Sequence, residues 1–459
     1  MVSQDISIVR GIATDRSSGM QISSDEIEDI RLNKVCRKGL KSLGITSLFP
    51  VQKICTKLIL ERMRSGSLSP YDCDLCVSAA TGQGKTLAYL LPIINWISEQ
   101  SHMPTFTAAL IVLPTRDLAQ QVASVAKSFS SISTSLLIGQ QSMSEERNSL
   151  STSPHIVIAT MGRLIDHLVL GTLNLNSLLW LVVDEADRML SQSDLDKWSI
   201  VLNSVVLANS CQRLLFSATM TSNPQKLNKL KLTRPLFVSV GSTSNNNTHD
   251  SSQSILHKYI VVPNKSMKVR CLLRVLEQVI VEAQEGHETV LGTKKRPVER
   301  CLIFCRTNEN VQSLFQLLKS LLADASSKIV AMPFSGSLSG KSREKMLKKF
   351  ALGNINVLIS TDVITRGIDI PDIDLVVNYD VPNHCTTYIH RAGRTGRAMK
   401  DGNVVTICES KEMRHFRKDV IAQDQSLRDQ MQRYNMDFST FMKHSELESL
   451  TRDDETIVS

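Results

Sequence analysis

DLCVSAATGQGKTLAYLLPIINWI, residues 74–97, is the stretch on which the reading of this chain turns. Asp74 to Ser78 is a short apolar and β-branched run with the length of a buried strand. Thr81-Gly82-Gln83-Gly84 is a tight, glycine-containing turn, and from Lys85 onward Leu87, Leu90, Leu91, Ile94 and Ile97 recur at helical spacing. A strand, a glycine loop and a helix opening on Lys-Thr form the context a phosphate-binding loop requires. Glycines let backbone N–H groups close around phosphate oxygens, and the helix N-terminus adds partial positive charge. On this reading Ala80, Thr81, Gly82, Gln83 and Gly84 form the cradle, Lys85 reaches the β- and γ-phosphates, and the Thr86 hydroxyl ligates Mg²⁺. The strict pattern has a glycine where Ala79 stands, which leaves a turn capping a structural helix as the alternative.

Working outward, 459 residues suffice for two to three domains, each with its own core. With 42% hydrophobic and 21% charged residues the composition is that of a folded protein. Aromatics make up only 5%, which argues against base-stacking platforms as the main hold on a nucleic acid. The net charge of +8 is compatible with a polyanionic partner without demanding one. No apolar run approaches the length of a membrane span, and MVSQDISIVRGIATDR lacks the apolar core of a secretory signal. Ten cysteines scattered through apolar segments suit a reducing compartment. Cys73-x-x-Cys76 has no second pair at ligand spacing, so zinc is not expected.

Residues 1–26 are polar and Ser/Asp-rich and read as a mobile arm. Helical periodicity between Ile27 and Leu60 is broken by Gly44 and Phe49-Pro50. From Ala109 to Val240 the runs ALIVLP, SLLIG, HIVIAT, LWLVVDE, RLLFSAT and LFVSV alternate with helical patterns. That alternation predicts a first domain over 27–240 with a parallel sheet covered on both faces. Residues 241–254 are almost wholly polar and read as a flexible linker. The alternation restarts with HKYIVVP, RCLIFCR, SKIVAMP, NVLIST, LVVNYD and NVVTIC, which predicts a second α/β domain over 255–409, with a surface insertion at 282–300. Residues 410–459 are expected to be a helical tail.

Asp184-Glu185-Ala186-Asp187 follows the apolar run Leu179 to Val183. Carboxylates at the end of a buried parallel strand stand where open α/β sheets bind ligands. Asp184 is placed to hold Mg²⁺, and Glu185 to orient the water that attacks the γ-phosphate. A second cluster, His390-Arg391-Ala392-Gly393-Arg394-Thr395-Gly396-Arg397, offers arginines three apart on glycine-permitted turns.

Together with AATGQGKT, these segments resemble the DEAD-box family of ATP-dependent RNA helicases, in family order from about Ile27 to Glu409. The resemblance implies two RecA-like domains, ATP and Mg²⁺ as cofactors, and RNA as partner. It also implies roles for residues that elementary chemistry leaves open. Gln52, in GITSLFPVQ, matches the glutamine that reads adenine, although Ile27 stands where an aromatic is usual and Pro50 comes two positions late. Pro114, Thr115 and Arg116, followed by Asp117 in place of glutamate, resemble one RNA-contacting segment. Thr160, Gly162 and Arg163, with Met161 in place of proline, resemble another. A Thr at a strand end equally suits a helix N-cap. The usual double glycine between these segments is Gly139-Gln140.

Ser217 and Thr219, with Asp187 and His390, fall where the family couples hydrolysis to strand separation. In the second domain Arg306 and Thr361 match RNA contacts, while Gly367 and Asp369 match the nucleotide side. Gly340 and Arg343 replace a common Gln-x-x-Arg pair, and Arg394 and Arg397 match the arginine fingers. The mechanism implied is ATP- and RNA-driven closure of the two domains, which bends one strand and opens a short duplex locally. An ATP-gated RNA clamp and a DNA helicase of related architecture are the rival readings. GITSLFPVQ and SATMTSNPQKL resemble the branch that assists large ribosomal subunit assembly. That branch implies pre-rRNA and pre-ribosomal proteins as partners and a nuclear, nucleolar address, with the cytoplasm as the alternative; a monomer with no membrane partner is expected. Lys294-Lys295-Arg296-Pro297 is either a nuclear import signal or a solvated loop.

Overall fold

The computed structural model describes residues 6–10, 19–20, 30, 32–65, 73–79, 82–139, 141–190, 195–205, 211–218, 230–240, 255–281, 298–322, 329–335, 338, 340–365, 373–396 and 402–436. The described residues fall into two compact units, one drawn from the chain up to residue 252 and the other from residue 253 onward.

In the first unit, β1 (Ile6–Arg10) and β2 (Gly19–Met20) precede the helices α1 (Lys34–Ser42) and α2 (Pro50–Ser65). Then strands and helices alternate: β3 (Leu75–Ala79), α3 (Lys85–Glu99), β4 (Ala109–Leu113), α4 (Arg116–Lys127), β5 (Thr134–Leu137), α5 (Met143–Ser151), β6 (Ile156–Thr160) and α6 (Met161–Val169). They continue as β7 (Trp180–Val183), α7 (Ala186–Met189), α8 (Leu195–Val205), β8 (Gln212–Ser217) and β9 (Leu236–Val240). The sheet order is β2-β1-β9-β3-β8-β7-β4-β6-β5, and every pairing from β9 to β5 is parallel. All seven of those strands therefore end on one edge of the sheet, where their loops can share a ligand.

Sequence accounts for the central elements. Every residue of β4 and β7 is buried, as in strands covered on both faces. In α3, Leu87, Leu90, Leu91, Ile93, Ile94 and Ile97 are buried around Pro92. A proline inside a helix costs about 3 kcal/mol. Full burial of one such side chain is worth roughly 1.5–3 kcal/mol, so packing outweighs the break several times over. At the other end of the strands the buried Asp74 carboxylate accepts the Arg213 N–H at 2.7 Å and the Thr233 N–H at 2.6 Å, fastening the starts of β3, β8 and β9. Desolvation raises its pKa, against these bonds and the Arg213 charge, which lower it.

The second unit contains β10 (Ile255–Val262), α9 (Lys265–Leu276), β11 (Cys301–Phe304), α10 (Asn308–Leu321), β12 (Ala331–Phe334), α11 (Gly340–Ala351), β13 (Val357–Ser360) and β14 (Leu375–Asn378). They are followed by α12 (Cys385–Ala392), β15 (Gly402–Glu409), α13 (Gln425–Gln430) and β16 (Gln432–Arg433). The sheet, β12-β13-β11-β14-β15-β10-β16, is parallel throughout.

Two terminal segments differ from their sequence reading. Within the N-terminal arm, Ile6–Arg10 lies antiparallel to β9, with Ile6 opposite Val240 and Arg10 opposite Leu236. Without it β9 would leave its outer N–H and C=O groups unpaired, and Ile-Ser-Ile-Val is a good strand former. Polar composition averaged over the arm hides that five-residue run. After β15 the chain is made of short helical turns up to Gln430, with Phe416 and Val420 buried, and Gln432–Arg433 then adds a strand beside β10. The linker at 241–254, most of the 282–300 insertion with its Lys294–Pro297 run, and residues 437–459 lie outside the described residues. Among the described residues no helix is long and apolar enough to cross a membrane.

The cysteines are free thiols. Cys36, Cys55, Cys73 and Cys76 are buried in the first unit, and Cys271, Cys301, Cys305 and Cys408 in the second. Desolvation pushes the thiols of Cys36, Cys76, Cys271 and Cys408 up to about 12.

Candidate nucleotide and RNA sites

The strand order sorts the candidates of the first unit. On the ligand edge, β3, β8 and β7 are neighbours and end at the phosphate loop, at Ser217 and at Asp184. The next three strands, β4, β6 and β5, end at Pro114-Thr115, Thr160 and Gly139. Nucleotide-side and RNA-side candidates thus occupy adjacent halves of one edge, with Ser217 between the loop and the acidic run.

Gly84 precedes α3 in the left-handed region, at φ 73°. A Cβ there would stand 2.1 Å from Gln52 Nε2, so glycine is required both by conformation and by space. Gln52 is 2% exposed. Its Oε1 accepts the Phe49 N–H at 2.8 Å, as the third residue of a helix reaching back to its N-cap does. Its Nε2 donates to the Gly84 carbonyl at 3.0 Å. The two bonds fix which way the amide faces and leave it one N–H and one lone pair. Lys85 Nζ donates to the Ala79 carbonyl at 2.7 Å, which puts the ammonium across the mouth of the loop. Gln83 is buried and its Oε1 has no hydrogen-bond partner among the described residues. Ala80 and Thr81 lie outside the described residues.

Asp184 is buried, and its carboxylate accepts the Tyr89 hydroxyl at 2.9 Å and the Glu185 N–H at 2.9 Å. Desolvation pushes its pKa from 3.8 up to about 6, with Glu185 adding repulsion; Lys85 and the two hydrogen bonds oppose the rise. Tyr89, buried edge-on against Phe216 at 5.1 Å, also bonds the Thr86 hydroxyl. Thr86, Tyr89 and Asp184 therefore form one hydrogen-bonded line. Tyr89 was not singled out in the sequence; a tyrosine four residues after Lys85 in a helix otherwise apolar on that face was the available signal. The oxygen donors at Thr86 and Asp184 are of the hard kind that suits Mg²⁺. Glu185 adopts φ 49°, rare for a side-chain-bearing residue, and pairs with Arg188 at 2.9 Å. Asp187 is half-buried on α7, Ser217 is fully buried, and Thr219 is not described.

On the RNA side, Thr115 caps α4 by accepting the Leu118 N–H at 3.4 Å, and Arg116 is exposed. Thr160 stands at the N-cap of α6 without a side-chain capping bond, so its hydroxyl is not spent there. Gly162 is exposed, with open space where a Cβ would project. Arg163 lies against Gly139 and pairs with the buried Glu146 at 3.0 Å and with Asp166 at 3.5 Å.

In the second unit Arg306 is exposed at the end of β11, its N–H held by Asp380 at 2.7 Å. Thr361 is buried after β13. Arg391, between the two candidate clusters, is 2% exposed and binds Asp362 through two nitrogens at 2.6 and 3.0 Å. It also donates to Asn378 Oδ1 and the Asp380 carbonyl, and it stacks on Phe304 at 4.9 Å. This fork ties the turn after β13 to α12. His390 and Arg394 are buried on the same segment, with Arg394 Nε donating to the His390 carbonyl. Gly367, Asp369 and Arg397 lie outside the described residues.

Comparison with known proteins agrees with this geometry. Residues 49–227 match the family DEAD/DEAH box helicase, and residues 274–399 match the helicase conserved C-terminal domain. The chain is 34% identical over 394 residues to the ATP-dependent RNA helicase DBP6 of Meyerozyma guilliermondii, covering 82% of this chain and 59% of that one. It is 36% identical over 375 residues to the ATP-dependent rRNA helicase rrp3 of Aspergillus terreus, covering 81% and 74%. Among solved structures, Mss116p bound to single-stranded RNA and AMP-PNP superposes with a TM-score of 0.74 at 25% identity, covering 95% of this chain and 84% of that one. The chain spans about three fifths of the length of the first curated relatives it matches. With both domain families matched in order, and three quarters of the rrp3 relative covered at that identity, the chain belongs to the DEAD/DEAH box helicase family.

Proposed function

We propose that this chain is an ATP-dependent RNA helicase: an RNA-stimulated ATPase that couples Mg-ATP binding and hydrolysis to local duplex opening or to remodelling of an RNA–protein particle. The observation that carries the reading is the convergence of the phosphate loop, Ser217 and Asp184-Glu185 at the ends of three adjacent parallel strands. In this reading Lys85 leaves the Ala79 carbonyl for the phosphates, and the remaining N–H and lone pair of Gln52 meet adenine as a bidentate pair. Thr86 and Asp184 would hold Mg²⁺, with Tyr89 keeping both oxygens in place. When bound, Mg²⁺ would neutralise charge on the β- and γ-phosphate oxygens. Glu185, aimed by its own backbone and by Arg188, orients the attacking water. Arg394 and Arg397 act on charge developing at the γ-phosphate. Thr115, Arg116, Thr160, Gly162, Arg163, Arg306 and Thr361 take RNA phosphates and sugars, contacts that carry no base sequence. Ser217, Thr219, Asp187 and His390 couple the two ligands.

The test is ATP hydrolysis with and without structured RNA, comparing wild type with Glu185→Gln. Strong RNA stimulation lost in the variant is expected. A wild type as inactive as the variant, yet still binding RNA with ATP, would replace turnover by an ATP-gated clamp. The RNA is proposed to be pre-ribosomal and the address nucleolar, supported by the name of the rrp3 relative. Sequencing of crosslinked RNA and the position of a fluorescent fusion check both; a fusion confined to the cytoplasm counts against them.

A further inference from the structure

Glu146 is a carboxylate with no exposure, in the first turn of α5. Its Oε1 accepts two backbone N–H groups, Ile138 at 3.3 Å and Gly139 at 3.2 Å, at the turn after β5. Its Oε2 lies 2.9 Å from His167 Nε2, and 3.0 Å from Arg163 Nε, close enough for the charges to pair although that N–H is not aimed along the contact. A carboxylate only accepts, so His167 donates to it through Nε2. The other ring nitrogen, Nδ1, is 2.8 Å from Thr172 Oγ1. Arg163 also donates to the Gln141 carbonyl at 3.3 Å. One buried side chain thus fastens the Gly139 turn to α6, the helix that opens on Thr160, Gly162 and Arg163. Burying a carboxylate is expensive unless its lone pairs are filled. Here they are filled by the two segments that bear RNA-side candidates.

We propose that Glu146, backed by His167, is a positioning residue for the RNA-facing half of the first unit. It holds the Gly139 turn against α6 and keeps the Arg163 guanidinium facing the edge that bears the RNA-side candidates, and it touches neither nucleotide nor RNA. The inference rests on the reading of that half as the RNA side. Glu146→Gln keeps an oxygen for the Ile138 and Gly139 N–H groups but turns an NH₂ towards Arg163 and His167. His167→Gln keeps a donor towards Glu146, whereas His167→Leu removes it.

The experiment measures RNA-stimulated ATPase of the full chain with these variants, titrating a single-stranded RNA oligonucleotide, alongside binding of a fluorescent ATP analogue without RNA. Half-saturating RNA should rise about tenfold in Glu146→Gln, the equivalent of about 1.4 kcal/mol. It should rise comparably in His167→Leu and return close to wild type in His167→Gln. The rate at saturating RNA and the analogue affinity should stay within about twofold, a split that general loosening of the fold would not give. An unchanged RNA requirement in both Glu146→Gln and His167→Leu, with Arg163→Ala still raising it, overturns the positioning role and leaves the RNA-side assignment standing. A wild type that binds no RNA overturns both. Should Glu146→Gln not fold, the His167 pair decides: Leu and Gln behaving alike refutes the proposal.

Discussion

Gly84 and Gln52 are 32 residues apart in sequence and share one hydrogen bond, and each constrains what the other can be. Gly84→Ala introduces a methyl 2.1 Å from Gln52 Nε2 at a backbone angle that alanine rarely adopts. We expect it to weaken ATP binding by at least tenfold while the rest of the first unit stays folded, as nucleotide titration with circular dichroism would check. Asp184 supplies a pH signature. Its pKa is raised from 3.8 to about 6, so the folded state prefers the protonated form. Its contribution to stability therefore falls as pH rises from about 4 through about 6 and is level above that. Metal binding needs the carboxylate, so Mg-ATP affinity should move the other way, rising through pH 6. Tyr89→Phe, which removes a bond that favours the carboxylate, should shift that rise to higher pH in isothermal titration. The glycine loop and the acidic pair were legible because each is contiguous in sequence. Tyr89 and Glu146 were not, since their roles depend on partners 95 and 21 residues away.

At the scale of elements, the parallel strands could be read from unbroken apolar runs, and their order could not, because order is decided by which helices pack together. The Gln52 amide depends on such packing, since it needs α2 and α3 side by side. β1 was missed for the opposite reason: it is short, lies in a polar arm, and is required by β9 rather than by its own pattern. Deleting residues 1–26 should expose the outer edge of β9, with a lowered Tm and association visible in sedimentation velocity. A monodisperse deletion variant of unchanged Tm would show that β1 is dispensable. Arg391 does for the second unit what a cap does for a helix, satisfying Asp362, Asn378 and the Asp380 carbonyl together. Arg391→Lys keeps the charge and loses the planar fork. Asp362 is one third exposed, so the expected loss is that of a charged hydrogen bond, about 1.5–3 kcal/mol, and denaturant unfolding should show it confined to one transition.

At the scale of the molecule, two units with few aromatics and ordinary composition offered little to read, and the candidate sites lie in loops at sheet edges. The cysteines, unused in any proposed step, have a practical consequence. Thiolate is the species that reacts with alkylating reagents, and burial suppresses it. In the native chain only Cys211 and Cys385 are half-exposed, whereas each unit keeps four buried thiols. Desolvation also raises the Cys211 and Cys385 thiols, to about 12 and about 11, so iodoacetamide at neutral pH should leave the native chain almost unmodified and add adducts in blocks of five as each unit opens. Intact-mass spectra taken along a denaturant or ligand titration would then report the two units separately on one unmodified polypeptide. Such a barcode would reveal which of them nucleotide protects and which RNA protects, without a single introduced label.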